Sequence, residues 1–155
     1  MSRNLASDQC VAVRPAQGQD LSAVTELLQA SGLPIRGVQE WLPHFLVAEH
    51  EGDVVAVAGL ELYGPSALLR SVGVRPEWRG SGLARHLVDR LLEQARERGT
   101  HDVYLLTTTA EHYFPRFGFA CVSRDQVPER VKSSVEFTSA CPASAVVMCK
   151  QLPTD

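Results

Sequence analysis

A glycine-rich loop between a predicted strand and a predicted helix is the segment of this sequence best suited to chemistry. It runs from Val74 to Ala84 and reads V-R-P-E-W-R-G-S-G-L-A. Glycines allow backbone N–H groups to turn towards a ligand, and the first turn of a helix carries unpaired N–H groups and the positive end of the helix dipole. The segment therefore predicts an anion site that a pyrophosphate would fit.

Two common phosphate-binding motifs do not match this loop. The Walker motif needs a Lys-Ser or Lys-Thr pair after its last glycine, and the dinucleotide motif needs a third glycine where this chain has Arg85. The pattern that fits is Q/R-x-x-G-x-G/A, which Arg79, Gly82 and Ala84 satisfy. The alternative is a glycine-rich turn that only begins a helix, and Arg79 with the flanking strand and helix argues against it.

The predicted elements place this loop in the middle of the chain. Apolar residues recur on one face from Gly82 to Arg98 and predict the main helix, and Asp20 is predicted to cap a helix over 21–30. Short helices are predicted at 37–43, 110–116 and 127–137, and strands at 10–14, 45–49, 54–62, 67–74, 103–108, 117–123 and 145–151. The fold class is α/β (α+β), with a mixed central sheet of six to seven strands flanked by helices.

The composition of the chain excludes some classes of binding partner. The 155 residues carry a formal net charge of −3, which argues against nucleic acid or an anionic membrane. No apolar run reaches the ~20 residues of a membrane span, and residues 1–9 contain no signal-like stretch. The four cysteines lack C-x-x-C spacing and are interpreted as reduced thiols, with no metal site. We expect a cytoplasmic protein with a flexible segment 1–9 and a single domain over 10–155; formation of a homodimer stays open.

The arginines are not spread evenly along the chain. Residues 70–98 contain seven arginines and four acidic residues and carry +3, whereas the remainder carries −6. The basic residues are therefore centred on the predicted phosphate site, which favours one small polyanion as the ligand.

The glycine loop and a later segment together resemble the GNAT superfamily of acetyl-CoA-dependent N-acetyltransferases. The later segment is the predicted strand 103–108 with the residues up to Gly118-Phe119. The resemblance implies the GNAT fold, with the sheet splayed between its fourth and fifth strands and acetyl-CoA in that opening. It implies cofactor contacts from residues of the fourth strand, the loop and the later segment: Val72, Gly73, Val74, Arg79, Gly80, Ser81, Gly82, Leu83, Ala84, Arg85, Phe114 and Arg116.

The later segment departs from the common GNAT pattern. Many members carry a general-acid Tyr four residues before the Gly of the Gly-Phe pair, where this chain has Phe114. Tyr113 is one residue away, about 100° round a helix, so it does not simply inherit that role. We interpret Tyr113 as a packing residue. The common Asn of this motif is replaced by Thr107.

The departures indicate a subfamily. Residues 106–109 with Tyr113-Phe114 resemble the acetyltransferase domain of N-acetylglutamate synthase. Residues 69–72 and 141–145 resemble the small N-acetyltransferases encoded with arsenic-resistance operons. Both resemblances imply a small, amino-acid-like amine as the acetyl acceptor.

GNAT chemistry implies a general base for the amine, and three residues are the catalytic candidates. Glu61 is the first choice for the base, acting through water, and Arg70 could clamp a substrate carboxylate. Thr108, at the end of the fifth strand, is the third. The alternatives are a solvated charge or an ion pair with Arg70 for Glu61, and a sheet-edge arginine for Arg70. Lower-ranked bases are His44, Glu49 and His112.

The leading hypothesis is direct acetyl transfer from acetyl-CoA to a small amine. Two alternatives stay open. One is acetylation of a protein N-terminus or lysine, and the other is a regulatory module that binds acyl-CoA without turnover, which the missing Tyr motivates. Residues 124–140 have the length of a lid over the acceptor.

Overall fold

The structure is a computed structural model that describes residues 11–140 and 144–153. The predicted flexible segment 1–9, Cys10 and Cys141 lie outside the described residues. Within the described ranges, no helix is long and apolar enough to span a membrane.

Seven strands form one mixed sheet in the order β1-β2-β3-β4-β5-β7-β6. Six of these strands have four residues or more, and β6 has only two residues. The strands are β1 (Ala12–Pro15), β2 (Phe45–His50), β3 (Asp53–Tyr63), β4 (Ser66–Val74), β5 (Asp102–Thr107), β6 (Ala120–Cys121) and β7 (Val146–Gln151). The sequence-based prediction of a mixed α/β sheet is confirmed.

The helices alternate with these strands in the predicted order. The α-helices are α1 (Leu21–Ala30), α2 (Val38–Trp41), α3 (Leu83–Glu97) and α4 (Glu129–Lys132). Single 3₁₀ turns lie at Gly18–Asp20, Leu42–His44, Pro76–Trp78, Phe114–Phe117 and Arg124–Gln126, and one π-helical turn at Glu136–Ala140. The long predicted helix is therefore observed, whereas the predicted helix 127–137 is divided into a short α-helix at Glu129–Lys132 and the start of the π-helical turn at Glu136.

The chain divides into two compact units. The first contains Met1–Gly59 and Ser71–Leu91. Its core forms where α1 presents Val24, Leu27 and Leu28, a stripe at helical spacing, to buried residues of the first strands such as Phe45 and Val57. Burial of this stripe, rather than helix propensity, holds a helix of ten residues in place.

The second unit contains Leu60–Arg70 and Leu92–Asp155. Its core joins Leu68 and Tyr104 of the sheet to Val127 and Val131 of the late turns. Phe137 packs against the same cluster. The late segment is therefore fixed by packing of these side chains against the sheet, which does not require the continuous helix predicted over 127–137.

The fourth and fifth strands form the one parallel pair between described strands. The ladder joins Ser66–Leu68 to Asp102–Tyr104, at the start of both strands. Of the nine residues of β4, the ladder with β5 contains the first three, Ser66–Leu68. This pairing matches the predicted splay between the fourth and fifth strands.

Asp20 does not act as the predicted helix cap. Its side chain makes no capping bond to α1. Its carboxylate instead accepts hydrogen bonds from Arg14 Nη1 at 2.7 Å and Nη2 at 2.9 Å, and from the Gln17 N–H at 2.7 Å. The Asp20 carboxylate thus ties β1 to the turn that precedes α1, because a charged bidentate partner outcompetes a neutral backbone donor.

Candidate functional site

The glycine loop leaves β4 in a fixed conformation. Arg75 N donates to Val55 O at 2.9 Å, which anchors the start of the loop to β3. Trp78 N then donates to Arg75 O at 2.8 Å and closes a 3₁₀ turn at Pro76–Trp78. Proline at the first position favours this turn because its φ is already fixed.

Two glycines bring the chain from this turn into α3. Gly80 has φ +76° and Gly82 has φ +90°, a region that side chains with a Cβ rarely adopt. Both are exposed, and a Cβ at either position would meet no atom within 4 Å. The first helical hydrogen bond runs from His86 N to Gly82 O at 3.0 Å, so the amides of residues 83–85 precede the i−4 bonding pattern. Leu83 N donates to Ser81 Oγ at 3.4 Å. The loop thus leads through two exposed glycines into the positive end of a helix of fifteen residues.

Cationic side chains surround these donors. Arg75, Arg79 and Arg85 are all exposed. Arg85 Nε lies 3.8 Å from Asp89 Oδ2, an exposed pair one helical turn apart that contributes little to stability. Exposed guanidinium groups beside the first amides of a helix are the chemistry that binds a phosphate diester or pyrophosphate.

The end of β4 carries the residues predicted to pair with the cofactor arm. Ser71 has φ +61°, which marks a backbone irregularity within β4. Val72 and Val74 are half-buried. Gly73 is buried, and a Cβ there would lie 2.9 Å from Leu27 Cδ2, so this glycine permits the close packing of α1.

Phe114 and Arg116 lie in an aromatic cluster of the second unit. The Phe114 ring is buried, with centroids 5.2 Å from Tyr113 and 6.0 Å from Phe119. The Arg116 guanidinium is exposed and lies 4.5 Å above the Tyr113 ring. Tyr113 therefore packs, as interpreted from its helical position, and Arg116 presents a cation to solvent.

Thr107 and Thr108, at the end of β5, have different environments. Thr107 Oγ1 accepts from Ala110 N at 2.9 Å and so closes the turn after the strand. Thr108, the third catalytic candidate, is exposed and lies one residue beyond the strand. The threonine that replaces the common Asn thus has a local structural role.

Glu61 and Arg70 meet in the second unit, in the interior. Arg70 Nη1 donates to Glu61 Oε2 at 2.7 Å, and both side chains are 0% exposed. The other end of the guanidinium, Nη2, lies 3.4 Å from Glu136 Oε2. The ion pair between Glu61 and Arg70 agrees with one of the interpretations of the sequence. The complete burial of both side chains and the second carboxylate, that of Glu136, were not expected from the sequence.

Tyr63 and Ser134 complete this buried cluster. The Tyr63 hydroxyl donates to Glu61 Oε1 and also contacts the Ser134 hydroxyl. Burial, reinforced by the hydrogen bond to Glu61, raises the pKa of Tyr63 well above its ordinary value. Tyr63 thus stays a neutral hydrogen-bond donor at neutral pH.

Sequence reasoning missed Tyr63, Ser134 and Glu136. Tyr63 had a usable signal, because residues two apart on a strand share a face and Glu61 was already a candidate. No sequence signal pointed to Glu136, because its position depends on the π-helical turn that it begins.

The lower-ranked candidates lie elsewhere in their units. Glu49 Oε1 lies 2.8 Å from Arg14 Nη2, in a structural ion pair. The His44 ring packs 6.0 Å from the Trp41 ring, and His112 is exposed. No group of three His, Cys, Asp or Glu side chains in the described ranges could hold a metal ion.

Comparison with known proteins gives consistent results. A profile described as the acetyltransferase (GNAT) family matches residues 11–119. The amino-acid acetyltransferase of Pseudomonas putida strain GB-1 is 31% identical over 133 residues, which cover 80% of this chain and 31% of that protein. An uncharacterized N-acetyltransferase of Chlorobaculum tepidum is 29% identical over 132 residues, covering 81% of this chain and 84% of that one. The chain spans about a third of the length of the Pseudomonas relatives that it matches.

Solved structures show the same architecture. N-acetylglutamate synthase from Neisseria gonorrhoeae, complexed with coenzyme A and N-acetyl-glutamate, matches with a TM-score of 0.80 at 20% identity, over 92% of this chain and 35% of that one. A Mycobacterium tuberculosis protein complexed with CoA matches with a TM-score of 0.78 at 26% identity, over 92% of this chain and 99% of that one.

Proposed function

The chain belongs to the acetyltransferase (GNAT) family, and from this premise we propose that it transfers an acetyl group from acetyl-CoA to the nitrogen of a small, amino-acid-like amine. The observation that carries the proposal is the loop with exposed Gly80 and Gly82, both at positive φ, at the start of α3. Exposed arginines at positions 75, 79 and 85 supply the positive charge that a pyrophosphate needs.

The remaining cofactor contacts extend this site. Backbone groups of Val72, Gly73 and Val74 would pair with the pantetheine arm, and residues 79–85 would hold the pyrophosphate. Arg116, exposed on its aromatic cluster, would meet the adenosine end. Phe114 would contribute by packing against Tyr113, the ring beneath Arg116, since its own ring is buried and carries no acid.

The acceptor class is supported by two facts. Relatives at 30–31% identity are named amino-acid acetyltransferase. Arg70, whose buried guanidinium pairs with the Glu61 and Glu136 carboxylates, is our candidate to bind the carboxylate of an amino acid. A carboxylate receptor beside the acceptor amine would select free amino acids and their analogues.

The reaction requires the amine to lose a proton and attack the thioester carbonyl; a C–N bond forms, the C–S bond breaks and the coenzyme A thiolate leaves. Glu61 is our candidate for the group that receives the proton, through water or through the Tyr63 hydroxyl that it accepts from. Thr108, exposed beyond β5, is a candidate donor to the thioester oxygen. A thiolate leaves without an obligatory acid, so Phe114 in the usual Tyr position is compatible with turnover.

An assay of thiol release from acetyl-CoA tests the proposal. The acceptors are free L-amino acids, their decarboxylated amines, and short peptides with a free N-terminus or an internal lysine. We expect release with amino acids and little with peptides. Release with peptides alone would indicate a protein acetyltransferase, and tight acetyl-CoA binding without release for any amine would indicate a regulatory module.

A further inference from the structure

The cluster around Arg70 contains one cation and two anions. Glu61 and Glu136 both lie within ion-pair distance of the Arg70 guanidinium, and all three residues are buried. One carboxylate balances one guanidinium, whereas the second leaves a surplus negative charge in the interior. Such a surplus is unfavourable unless something else compensates for it.

The two carboxylates are held differently. Glu61 lies on β3, and its two oxygens bind Arg70 and the Tyr63 hydroxyl. Glu136 approaches Arg70 at 3.4 Å, against 2.7 Å for Glu61. Charge-assisted hydrogen bonds are usually about 2.7–2.9 Å long, so the Nη2 edge of Arg70 binds its carboxylate less tightly than the Nη1 edge does.

The turn that carries Glu136 has anchors that do not involve its carboxylate. Glu136 N donates to Ser134 Oγ at 3.1 Å, and Phe137 N donates to Ser134 O at 3.0 Å. The Phe137 ring lies 5.7 Å from the Arg124 guanidinium and packs in the core of this unit. The turn Glu136–Ala140 is therefore held by backbone and ring contacts besides the Glu136 carboxylate.

We propose that Glu136 occupies the place of the acceptor's carboxylate on Arg70 and exchanges with it when an amino acid binds. This inference rests on the proposed function and names the residue that sets acceptor affinity. A zwitterionic amino acid brings an ammonium with its carboxylate, so the exchange removes the surplus negative charge while Glu136 turns to water. Glu136 thus competes with the acceptor for Arg70. Its π-helical turn fits this role, because such turns are rare overall but are often found at functional sites.

Removal of the Glu136 carboxylate tests the exchange. KM is measured for two matched pairs of acceptors, L-phenylalanine with 2-phenylethylamine and L-leucine with 3-methylbutylamine, which differ only in the carboxylate. In Glu136→Ala we expect KM for both amino acids to fall about tenfold, as expected for an interaction of about 1.4 kcal/mol, and KM for both amines to change less than about twofold. In Glu136→Gln the fall is smaller, because the amide oxygen still accepts from Arg70.

A matched control is Glu129→Ala, which removes an exposed carboxylate from the neighbouring helix α4. It should leave all four KM values unchanged. A rise in KM for amines and amino acids alike in Glu136→Ala would show that Glu136 binds the ammonium and would overturn the exchange. Unchanged KM values with a lowered melting temperature would show that Glu136 only holds the turn, which also overturns it.

The inference can be separated from the proposed function by direct binding. N-acetyl-L-phenylalanine carries the carboxylate without an ammonium and needs no turnover, so calorimetry measures its affinity even if no acceptor is acetylated. We expect about tenfold tighter binding to Glu136→Ala than to the unmodified chain. Equal affinity would overturn the exchange, whereas absent turnover with tighter binding would overturn only the proposed function.

Discussion

Arg70 Nη1 lies 2.7 Å from Glu61 Oε2, with neither side chain exposed to solvent. The pair joins β3 to β4 within the second unit, beside the Glu136 carboxylate. A buried ion pair of this kind contributes little net stability, but removal of one partner leaves a charge that water cannot reach. The contact therefore makes both residues sensitive to substitution, whatever they do in catalysis.

Arg70→Gln is expected to lower the free energy of unfolding by about 3–5 kcal/mol, because two carboxylates then lose their counter-charge. The matched control is Arg96→Gln, which removes a guanidinium from the partly exposed pair with Glu93 on α3 and should cost about 0–1 kcal/mol. Urea unfolding of both variants measures the difference. Equal losses would show that the Arg70 pair behaves like a surface pair.

Asp20→Asn is expected to remove part of the acid sensitivity of the fold. The hydrogen bond from Arg14 holds the pKa of Asp20 below its ordinary value of 3.8. Its stabilising contribution is therefore present above the unfolded pKa and is lost as the pH falls through the folded one. Loss of this charged pair should lower the free energy of unfolding by about 2 kcal/mol at about pH 7 and by much less at about pH 2.5.

Urea titrations of Asp20→Asn at both pH values check this outcome. Asp125→Asn, at an exposed position, is the control and should leave the pH dependence unchanged. An Asp20→Asn loss that is as large at low pH as at neutral pH would contradict the linkage.

Tyr63→Phe is expected to leave the alkaline tyrosine titration of the folded protein unchanged. Burial and the hydrogen bond to Glu61 raise the pKa of Tyr63, so its hydroxyl stays protonated where ordinary tyrosines ionise, near pH ~10. Phenolate absorbance between about pH 8 and about pH 10.5 measures this, within the range where tyrosine ionisation is normally observed. Burial raises the pKa of Tyr104 as well, so loss of about half of the amplitude in the variant would show that Tyr63 ionises normally. In concentrated urea, where burial is removed and all three tyrosines of the chain ionise, the variant should lose a third of the amplitude.

Gly82→Trp is expected to weaken binding of coenzyme A at least tenfold, or by about 1.4 kcal/mol, because the side chain covers the amides at the start of α3. Gly99→Trp is a matched control, since Gly99 also has positive φ, +88° against +90°, and also has open space around its Cβ position. It follows the same helix at its other end. Both variants should therefore lose similar stability, and only Gly82→Trp should lose affinity in calorimetry. Unchanged affinity in Gly82→Trp would exclude the loop as the pyrophosphate site.

The conformation of the glycine loop could be predicted because it depends on local residues. Gly80, Gly82 and the start of α3 are contiguous, and backbone donors at a helix N-terminus follow from the sequence pattern alone. The mixed sheet followed from the order of the predicted elements, and the family followed from this loop with the later segment; the comparisons confirm both. Asp20 was placed wrongly as a cap because its partner, Arg14, comes from a different element.

The sequence by itself determined the family, the main helix and the glycine loop that we propose as the anion site, because each depends on residues close together in the chain. Only the tertiary structure decided that Arg70 lies between two carboxylates and that Glu136 is one of them. The physical reason is that Glu136 reaches Arg70 across 66 positions through a π-helical turn held by Ser134 and Phe137. No local period encodes that turn, since packing in the core of the second unit fixes it.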